Sequence, residues 1–393
     1  MLRLLHTADV HLGARHADLG EAATAQRERQ FAAFRASIDL AITERVDLFL
    51  VAGDLFDSNV QPRRSVERVA AELRRLAEAR IRAILIPGTH DVFDRSSVYR
   101  AYDLAAMAGS SADDDAVTVL TPDRPWVHLR ACDAVIHGQV FATKRAPHSP
   151  LRDLAAQIAA TPPATWRIGM LHAAIAIAGR TEHDEVVVTT DEIGASGLDY
   201  LALGHWHAAK VGKAHGVTYA YAGAPEPVAV DQDRAGKVLL VTLDETADGR
   251  TVQVVERVVG RTRFERLEVD ARAAASQPAF VARLSAVADP DLILDVRLIG
   301  VRPDELDLDP AEVEGQLRRG FLRLRVRDAS RPAMSDGAIP PAETIAGALI
   351  RNLESRIAAL EGSGDDAAVR EADELRDALQ LGRLLLAGHE VTL

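Results

Sequence analysis

The chain has 393 residues, of which 48% are hydrophobic, 26% charged and 4% aromatic, with a formal net charge of −12. At roughly 150 residues per domain this is two to three domains, and the apolar content excludes wholesale disorder. No apolar run approaches the about 18 residues of a membrane span. The opening Met1-Leu2-Arg3-Leu4-Leu5-His6 is too short for a secretory leader, and Cys132, the only cysteine, excludes intramolecular disulfides and thiolate metal cages; a soluble cytoplasmic protein without a membrane span is expected.

In chain order, Leu2–Ala8 is a short apolar run that stops at Asp9. Phe31, Phe34, Ile38, Ala41 and Ile42 then follow helical spacing. Asp47–Ala52 reads as a buried strand ended by Gly53. Val66, Val69, Leu73 and Leu76 repeat the helical spacing, and Arg82–Pro87 is a further strand. This β-α-β-α-β order predicts a mostly parallel sheet covered by helices. After a polar loop at 111–116, closely spaced strand-like runs follow at Ala134–Val140, Arg167–Leu171, Tyr200–Leu203, Thr218–Ala222 and Lys237–Leu243. They suggest a second, β-rich sheet, so residues 1–263 are expected to form an α/β sandwich of two sheets.

From residue 264 the texture changes. Phe264–Val269 and Leu292–Ile299 read as strands around a helix at Phe280–Val287, and Leu322, Leu324 and Val326 alternate with Arg323, Arg325 and Arg327. Residues 264–330 are expected to be a small α/β accessory domain. Residues 331–393 are expected to hold a linker (331–341) and two helical stretches, Ile345 to Leu360 and Val369 to Leu386, separated by Glu361-Gly362-Ser363-Gly364-Asp365-Asp366.

Charge needs a correction for composition. Of 46 basic residues only Lys144, Lys210, Lys213 and Lys237 are lysine, so a single arginine carries little signal. Residues 336–393 hold eleven acidic and five basic residues, which argues against DNA binding there. The overall acidity is unlike a binder that works through a basic patch alone. It is compatible with an enzyme that grips phosphate through metal ions.

Five short elements carry chemistry, each at the end of a predicted strand, where ligands of open α/β sheets bind. They are Asp9-Val10-His11, Gly53-Asp54, Gly88-Thr89-His90-Asp91, His172, and Gly204-His205-Trp206-His207. Asp and His at positions i and i+2 of a strand end point one way and can converge on an ion. Alone, each motif also occurs in ordinary loops; five in this order are a different matter. Mixed imidazole and carboxylate ligands suit Mn, Fe or Zn. Six ligands exceed the need of one ion, so a two-metal site is the economical reading.

These motifs resemble those of the calcineurin-like metallophosphoesterases. The run His6-Thr7-Ala8-Asp9-Val10-His11-Leu12-Gly13, with Ala52-Gly53-Asp54-Leu55-Phe56-Asp57, Asp199 to His207 and Ala222-Gly223-Ala224-Pro225-Glu226-Pro227, resembles the branch of SbcD-type DNA repair exonucleases. The resemblance covers residues 1–260, is looser over the accessory domain and weakest over the tail. It implies a four-layer, two-sheet α/β sandwich and a DNA nuclease using two divalent ions, Mn²⁺ foremost. Asp9, His11 and His207 would hold one ion, Asp54 would bridge, and His172 and His205 would hold the other. His90 would aid the transition state or protonate the leaving oxygen, and Asp91 would orient His90. The family's Gly-Asn-His reads Gly-Thr-His here, so Thr89 offers a hydroxyl where an amide oxygen normally ligates. The resemblance further implies DNA as substrate, a homodimer, an accessory domain that orients or melts duplex ends, and docking of the C-terminal helices on an SbcC-type coiled-coil ATPase.

Bland alternatives stand beside several of these. Asp57 can simply cap the next helix. Arg323, Arg325 and Arg327 can grip phosphates or form a solvated strand face. Lys144, Arg145, Lys210 and Lys213, in loops of the catalytic half, are candidate DNA contacts. His6, His16, His128, His137, His148, His183, His215 and His389 default to ordinary positions. Two other functions compete: a phosphatase or phosphodiesterase for small molecules, and a weakly active scaffold for an ATPase.

Overall fold

The computed structural model describes residues 1–111, 115–146, 148–152, 154–179, 181, 186–229, 232, 234–247, 249–303, 306–332, 340–361 and 366–386. The chain divides into two compact units, Met1–Arg263 and Phe264–Leu393.

The first unit opens with β1 (Leu2–Thr7), α1 (Ala23–Glu44), β2 (Leu48–Ala52), α2 (Arg63–Glu78) and β3 (Arg82–Ile86). The short helices α3 (Val98–Ala101) and α4 (Leu104–Met107) lead to β4 (Val117–Val119), β5 (Trp126–Leu129) and β6 (Ala134–Gln139). Then come α5 (Leu154–Ala159), β7 (Trp166–His172), the small parallel pair β8 (Ala174–Ile175) and β9 (Val187–Val188), and α6 (Thr190–Ala195). The unit finishes with β10 (Tyr200–Gly204), β11 (Lys210–Ala214), β12 (Val217–Tyr221), β13 (Lys237–Thr246) and β14 (Gly249–Val258).

Two six-stranded sheets result, ordered β14-β13-β1-β2-β3-β4 and β11-β12-β10-β7-β6-β5. The centre of each is parallel; β13, β14, β5 and β11 pair antiparallel at the margins. Alternate residues of each strand serve different layers. Leu4, Leu48, Leu50, Ile84 and Ile86 meet Ile136, Ile168, Met170 and Ala202 between the sheets. Leu5, Phe49, Val51 and Leu85 face Phe34, Ile38, Val69 and Leu73 of α1 and α2. Leu171, Leu201, Leu203 and Tyr221 face Leu154, Ile158 and Ile193 on the far side. The unit is therefore a four-layer α/β sandwich, and its central strands read as unbroken apolar runs because both faces are buried.

One strand sits elsewhere than the sequence suggests. The Lys237–Leu243 run is β13 of the first sheet, with Leu240 opposite Leu5, not a strand of the second. Its apolar pattern suits either sheet; only pairing distinguishes them. Asp57 also does not cap α2, whose N-cap is Pro62 without a side-chain bond.

The second unit contains β15 (Arg263–Asp270), α7 (Gln277–Ser285), β16 (Leu292–Ile299), β17 (Val301–Arg302), α8 (Pro310–Leu317), β18 (Arg323–Asp328) and β19 (Arg331–Pro332). Ser276 caps α7 and Asp309 caps α8, each followed by a proline in the first turn. The sheet order is β15-β16-β18, with Phe280, Val296, Val313 and Leu324 in its core. On its polar face Arg327 pairs with Asp295, and Arg297 with Glu268 at 3.9 Å. This charge balance fits a solvated strand face better than a phosphate grip. The helices α9 (Ile345–Glu361) and α10 (Asp366–Leu386) pack on each other, joined by Arg356–Glu371 and Arg383–Glu354 pairs. The linker at 333–339, the spacer at 362–365, the tip of the polar loop at 112–114, and His183 and His389 lie outside the described residues. Among the described residues, no helix is long and apolar enough to cross a membrane.

Candidate metal centre

The five motifs all leave the C-terminal ends of parallel strands: β1, β2 and β3 in one sheet, β7 and β10 in the other. Their convergence does not come from strand alternation, as the i and i+2 spacing suggests. Asp9 (φ 52°), His11 (φ 49°) and Asp54 (φ 50°) are left-handed, and His205 has φ 103°. Non-glycine residues occupy this region rarely, and mostly where their surroundings over-determine it. Here the surroundings are explicit. The Asp9 N–H donates to the Gly53 carbonyl at 3.1 Å, His11 to Asp54 at 3.0 Å, and Leu12 to Leu55 at 3.0 Å. The loops after β1 and β2 are zipped together, and the zip aims the side chains.

The carboxylates continue the zip. Asp9 accepts the His205 N–H at 2.9 Å, and Asp54 accepts the His90 N–H at 2.8 Å. Asp91 is fully buried and accepts from Gly88 N–H at 2.7 Å, Phe56 N–H at 3.1 Å and the Tyr99 hydroxyl at 2.6 Å. It therefore braces the loops after β2 and β3 and does not orient His90, contrary to the expectation. Burial and the neighbouring Asp54 charge push its pKa up, against those three bonds. His90 is oriented by Asp57 instead: its Nδ1 donates to the Asp57 carbonyl at 3.0 Å.

Two glycines show how tight this packing is. Gly53 has φ 91°, and a Cβ there would lie 2.3 Å from His172 Nδ1. A Cβ on Gly88 would lie 2.2 Å from Asp54 Oδ1. Both motif glycines are required by candidate ligand residues of other loops.

Potential ligand atoms of Asp9, His11 and His207 lie within 4.8 Å of one another, as do those of Asp9, Asp54 and His172. Asp54 Oδ2 is 3.7 Å from His11 Nε2 and 3.2 Å from His172 Nε2, so it reaches both halves. His205 stands beside His172, rings 5.5 Å apart, and His207 beside His11 at 5.0 Å. Thr89 Oγ1 is 3.5 Å from Asp54 Oδ2, at the rim of the same cluster. The structure thus brings together every residue expected to ligate.

The donor set fits divalent cations. His11 Nδ1 donates to Asp57 Oδ1 at 3.1 Å, and His172 Nδ1 to the Ala52 carbonyl at 3.0 Å. Each bond leaves Nε2 as the free lone pair, which is how metal-ligating imidazoles are held. Both Nε2 atoms are buried without a hydrogen-bond partner, and both face buried carboxylates. Burial alone would lower the His172 pKa, yet Asp54 and Asp9 outweigh it and push it up to about 10. His11 is raised in the same way, with Asp57 the leading opponent of burial. Burial would raise Asp54, but His172 and His11 hold it well below the usual carboxylate range. The site calls for positive charge.

Asp57 matters more than its sequence context suggests. It groups with His11 and His90, but its Oδ1 and its carbonyl oxygen are engaged by their ring nitrogens, which suits it to positioning them. Its place three residues after Asp54 is the available signal. Gln232, whose Nε2 contacts His207 Nδ1, escapes sequence reasoning altogether, lying in a loop without a motif.

The candidate DNA contacts scatter. Lys144 and Arg145 are exposed in the loop after β6. Lys210 lines an open cleft with His205, Trp206, His207 and Arg234. Lys213 is three residues further along β11 and thus on its opposite face, away from Lys210.

Residues 2–209 match the profile of the calcineurin-like phosphoesterases; the chain belongs to that family. The DNA double-strand break repair protein Mre11 of Aeropyrum pernix is 32% identical over 69% of this chain and 64% of its own length. The uncharacterized metallophosphoesterase YhaO of Bacillus subtilis is 30% identical over 56% of this chain and 52% of its own. One subunit of the nuclease SbcCD of Rhodobacter capsulatus is 27% identical over 74% of this chain and 77% of its own. The chain spans less than two thirds of the length of the first two relatives.

Proposed function

We propose that this metallophosphoesterase is a DNA nuclease of the repair-exonuclease type, hydrolysing backbone phosphodiesters with two divalent ions, Mn²⁺ foremost. One observation carries the reading: two buried carboxylates face two buried imidazole nitrogens that make no hydrogen bond. The names of its relatives, a DNA double-strand break repair protein and a nuclease, supply the substrate class.

In this reading Asp9, His11 and His207 would hold one ion and His172 and His205 the other, with Asp54 available to both and Thr89 at the rim. Bound ions would supply Lewis-acid charge on phosphate oxygens and a nucleophilic hydroxide at neutral pH. Asp57 fixes the His11 tautomer and, through its carbonyl, the His90 ring. His90 is half-exposed at the rim, its ring 4.6 Å from that of His11. Its Nδ1 proton is committed to the Asp57 carbonyl, so Nε2 faces outward. From that position Nε2 can deliver a proton to the departing 3′ oxygen, while Asp57 Oδ1 stands 3.6 Å from Nδ1 on the other side of the ring. Asp91 keeps the His90 loop in place. Lys144, Arg145 and Lys210 would contact the DNA backbone. A homodimer, and docking of α9 and α10 on the coiled coil of an SbcC-type ATPase, belong to the same proposal.

The net charge of −12 favours a second reading, a phosphodiesterase for small molecules. Mn²⁺-dependent cleavage of end-labelled single- and double-stranded DNA, with His90→Ala alongside, separates the two. Cleavage by the wild type that collapses in the variant supports the nuclease. Hydrolysis of bis(p-nitrophenyl) phosphate with DNA left intact supports the second reading.

A further inference from the structure

Beside the centre, on the outer side of the second sheet, lies an open cleft of about 570 Å³ lined by His205, Trp206, His207, Lys210 and Arg234. Two candidate ligands are part of its wall, so whatever enters it lies next to the metal centre. Its remaining side chains are built on a rigid base. Tyr221 is fully buried, and its hydroxyl donates to the Ala173 carbonyl at 2.9 Å, directly after His172. The Trp206 ring stacks on Tyr221 with centroids 4.5 Å apart and planes 21° apart. Lys210 stands opposite Tyr221 across the β11–β12 ladder, and its Nζ lies 5.0 Å from the Trp206 ring centre. The indole therefore seats the ammonium by cation–π attraction, and Arg234 adds a second cation to the cleft. A fixed lysine is a different thing from a solvated one in a chain with only four.

The volume suits a nucleotide-sized group, but both rings of the stack are already engaged, one by the other and the outer one by Lys210. The free chemistry of the cleft is cationic. We infer that the cleft built on Trp206, Lys210 and Arg234 binds the phosphate adjacent to the scissile one in a polynucleotide strand. This deepens the nuclease reading and rests on it: the centre would act best on a strand with a second phosphate beside the bond to be cut, and poorly on an isolated phosphodiester.

The test compares kcat/KM, with Mn²⁺ present, for bis(p-nitrophenyl) phosphate, dithymidine monophosphate and trithymidine diphosphate. The wild type should favour the trimer over the dimer by about tenfold, the size of one charge-assisted contact. The preference should shrink towards unity in Lys210→Ala and Arg234→Ala, and Trp206→Leu should lose more of it than Trp206→Phe. Equal rates on dimer and trimer in the wild type overturn the subsite, as does a preference that survives both cation substitutions. Turnover of bis(p-nitrophenyl) phosphate with neither oligonucleotide cleaved rejects the nuclease reading itself, and the subsite with it. A readout independent of turnover is equilibrium binding of fluorescein-labelled oligothymidylate. Its salt slope should fall by about one for each cation removed, and an unchanged slope counts against the proposal.

Discussion

The Asp54 carboxylate accepts the backbone N–H of His90 with one oxygen, at 2.8 Å, while the other stands 3.2 Å from His172 Nε2. Charge and scaffold are thus combined in one side chain, and two substitutions separate them. Asp54→Asn keeps an acceptor for His90 and tolerates the left-handed φ of 50°. It should fold with a urea midpoint near the wild type yet bind Mn²⁺ about 100-fold more weakly. Asp54→Ala also forfeits the hydrogen bond and should lose a further 1–2 kcal/mol or so of stability. Calorimetric Mn²⁺ titration and urea unfolding read the two effects; wild-type affinity in the Asn variant would contradict the assignment.

Asp57→Ala removes the acceptor of His11 Nδ1 and releases the tautomer. Metal affinity should fall roughly 10- to 100-fold, while Asp57→Asn, which can still accept that proton, should retain most of it. Equal losses in the two variants would mean that Asp57 acts through its charge and not through the imidazole.

Thr89 stands 3.5 Å from Asp54 Oδ2, with a short hydroxyl where the resembled Gly-Asn-His motif would place an amide. Thr89→Asn should extend a ligating oxygen into the cluster and tighten the weaker ion by about tenfold. Titration would then show two closely matched binding events in the variant and two well-separated ones in the wild type. An unaltered weaker event would show that Thr89 does not face that ion.

His6 is fully buried between the sheets with its Nδ1 2.9 Å from the Tyr200 hydroxyl, and burial pushes its pKa down to about 3. Below the ordinary value of 6.5, the unfolded chain takes up a proton that the folded chain refuses. The stability is therefore present above pH 6.5 and is lost as pH falls towards 3. Between pH 7 and pH 5 this amounts to about 2 kcal/mol. His137, pushed down to about 4 by burial and Arg167, adds in the same direction. Urea unfolding of His6→Gln at both pH values should show a pH dependence about 2 kcal/mol smaller than in the wild type; identical dependences would refute it.

Much of this architecture is legible in the sequence, because both the parallel strands and the ligand motifs leave local traces. Leu48–Ala52 is apolar without interruption since both its faces are buried, and Gly53-Asp54 marks where it ends. What is not legible depends on partners distant in the chain. The place of Lys237–Thr246 is set by pairing with β1, and no local pattern reveals it. The helix at Pro310–Leu317 has too short an apolar stripe to stand out, and only Asp309-Pro310 announces its start. The two aspartates beyond the candidate ligands, Asp57 and Asp91, are both braces. Sequence position reads Asp57 as a helix cap, and the resemblance pairs Asp91 with His90, whereas its bonds go to Gly88, Phe56 and Tyr99. A carboxylate's type and spacing do not say which N–H it will meet.

The zip of backbone bonds and carboxylates from Asp9 to His90 also partitions the molecule for change. Every residue in it is held by another loop, so substitution there propagates across the whole centre. The loop after β6, with Lys144 and Arg145, and the cleft residues Trp206, Lys210 and Arg234 contribute no side-chain bond to that zip. Substrate preference can therefore be re-engineered, or drift in evolution, on one surface while the chemistry beneath it stays fixed.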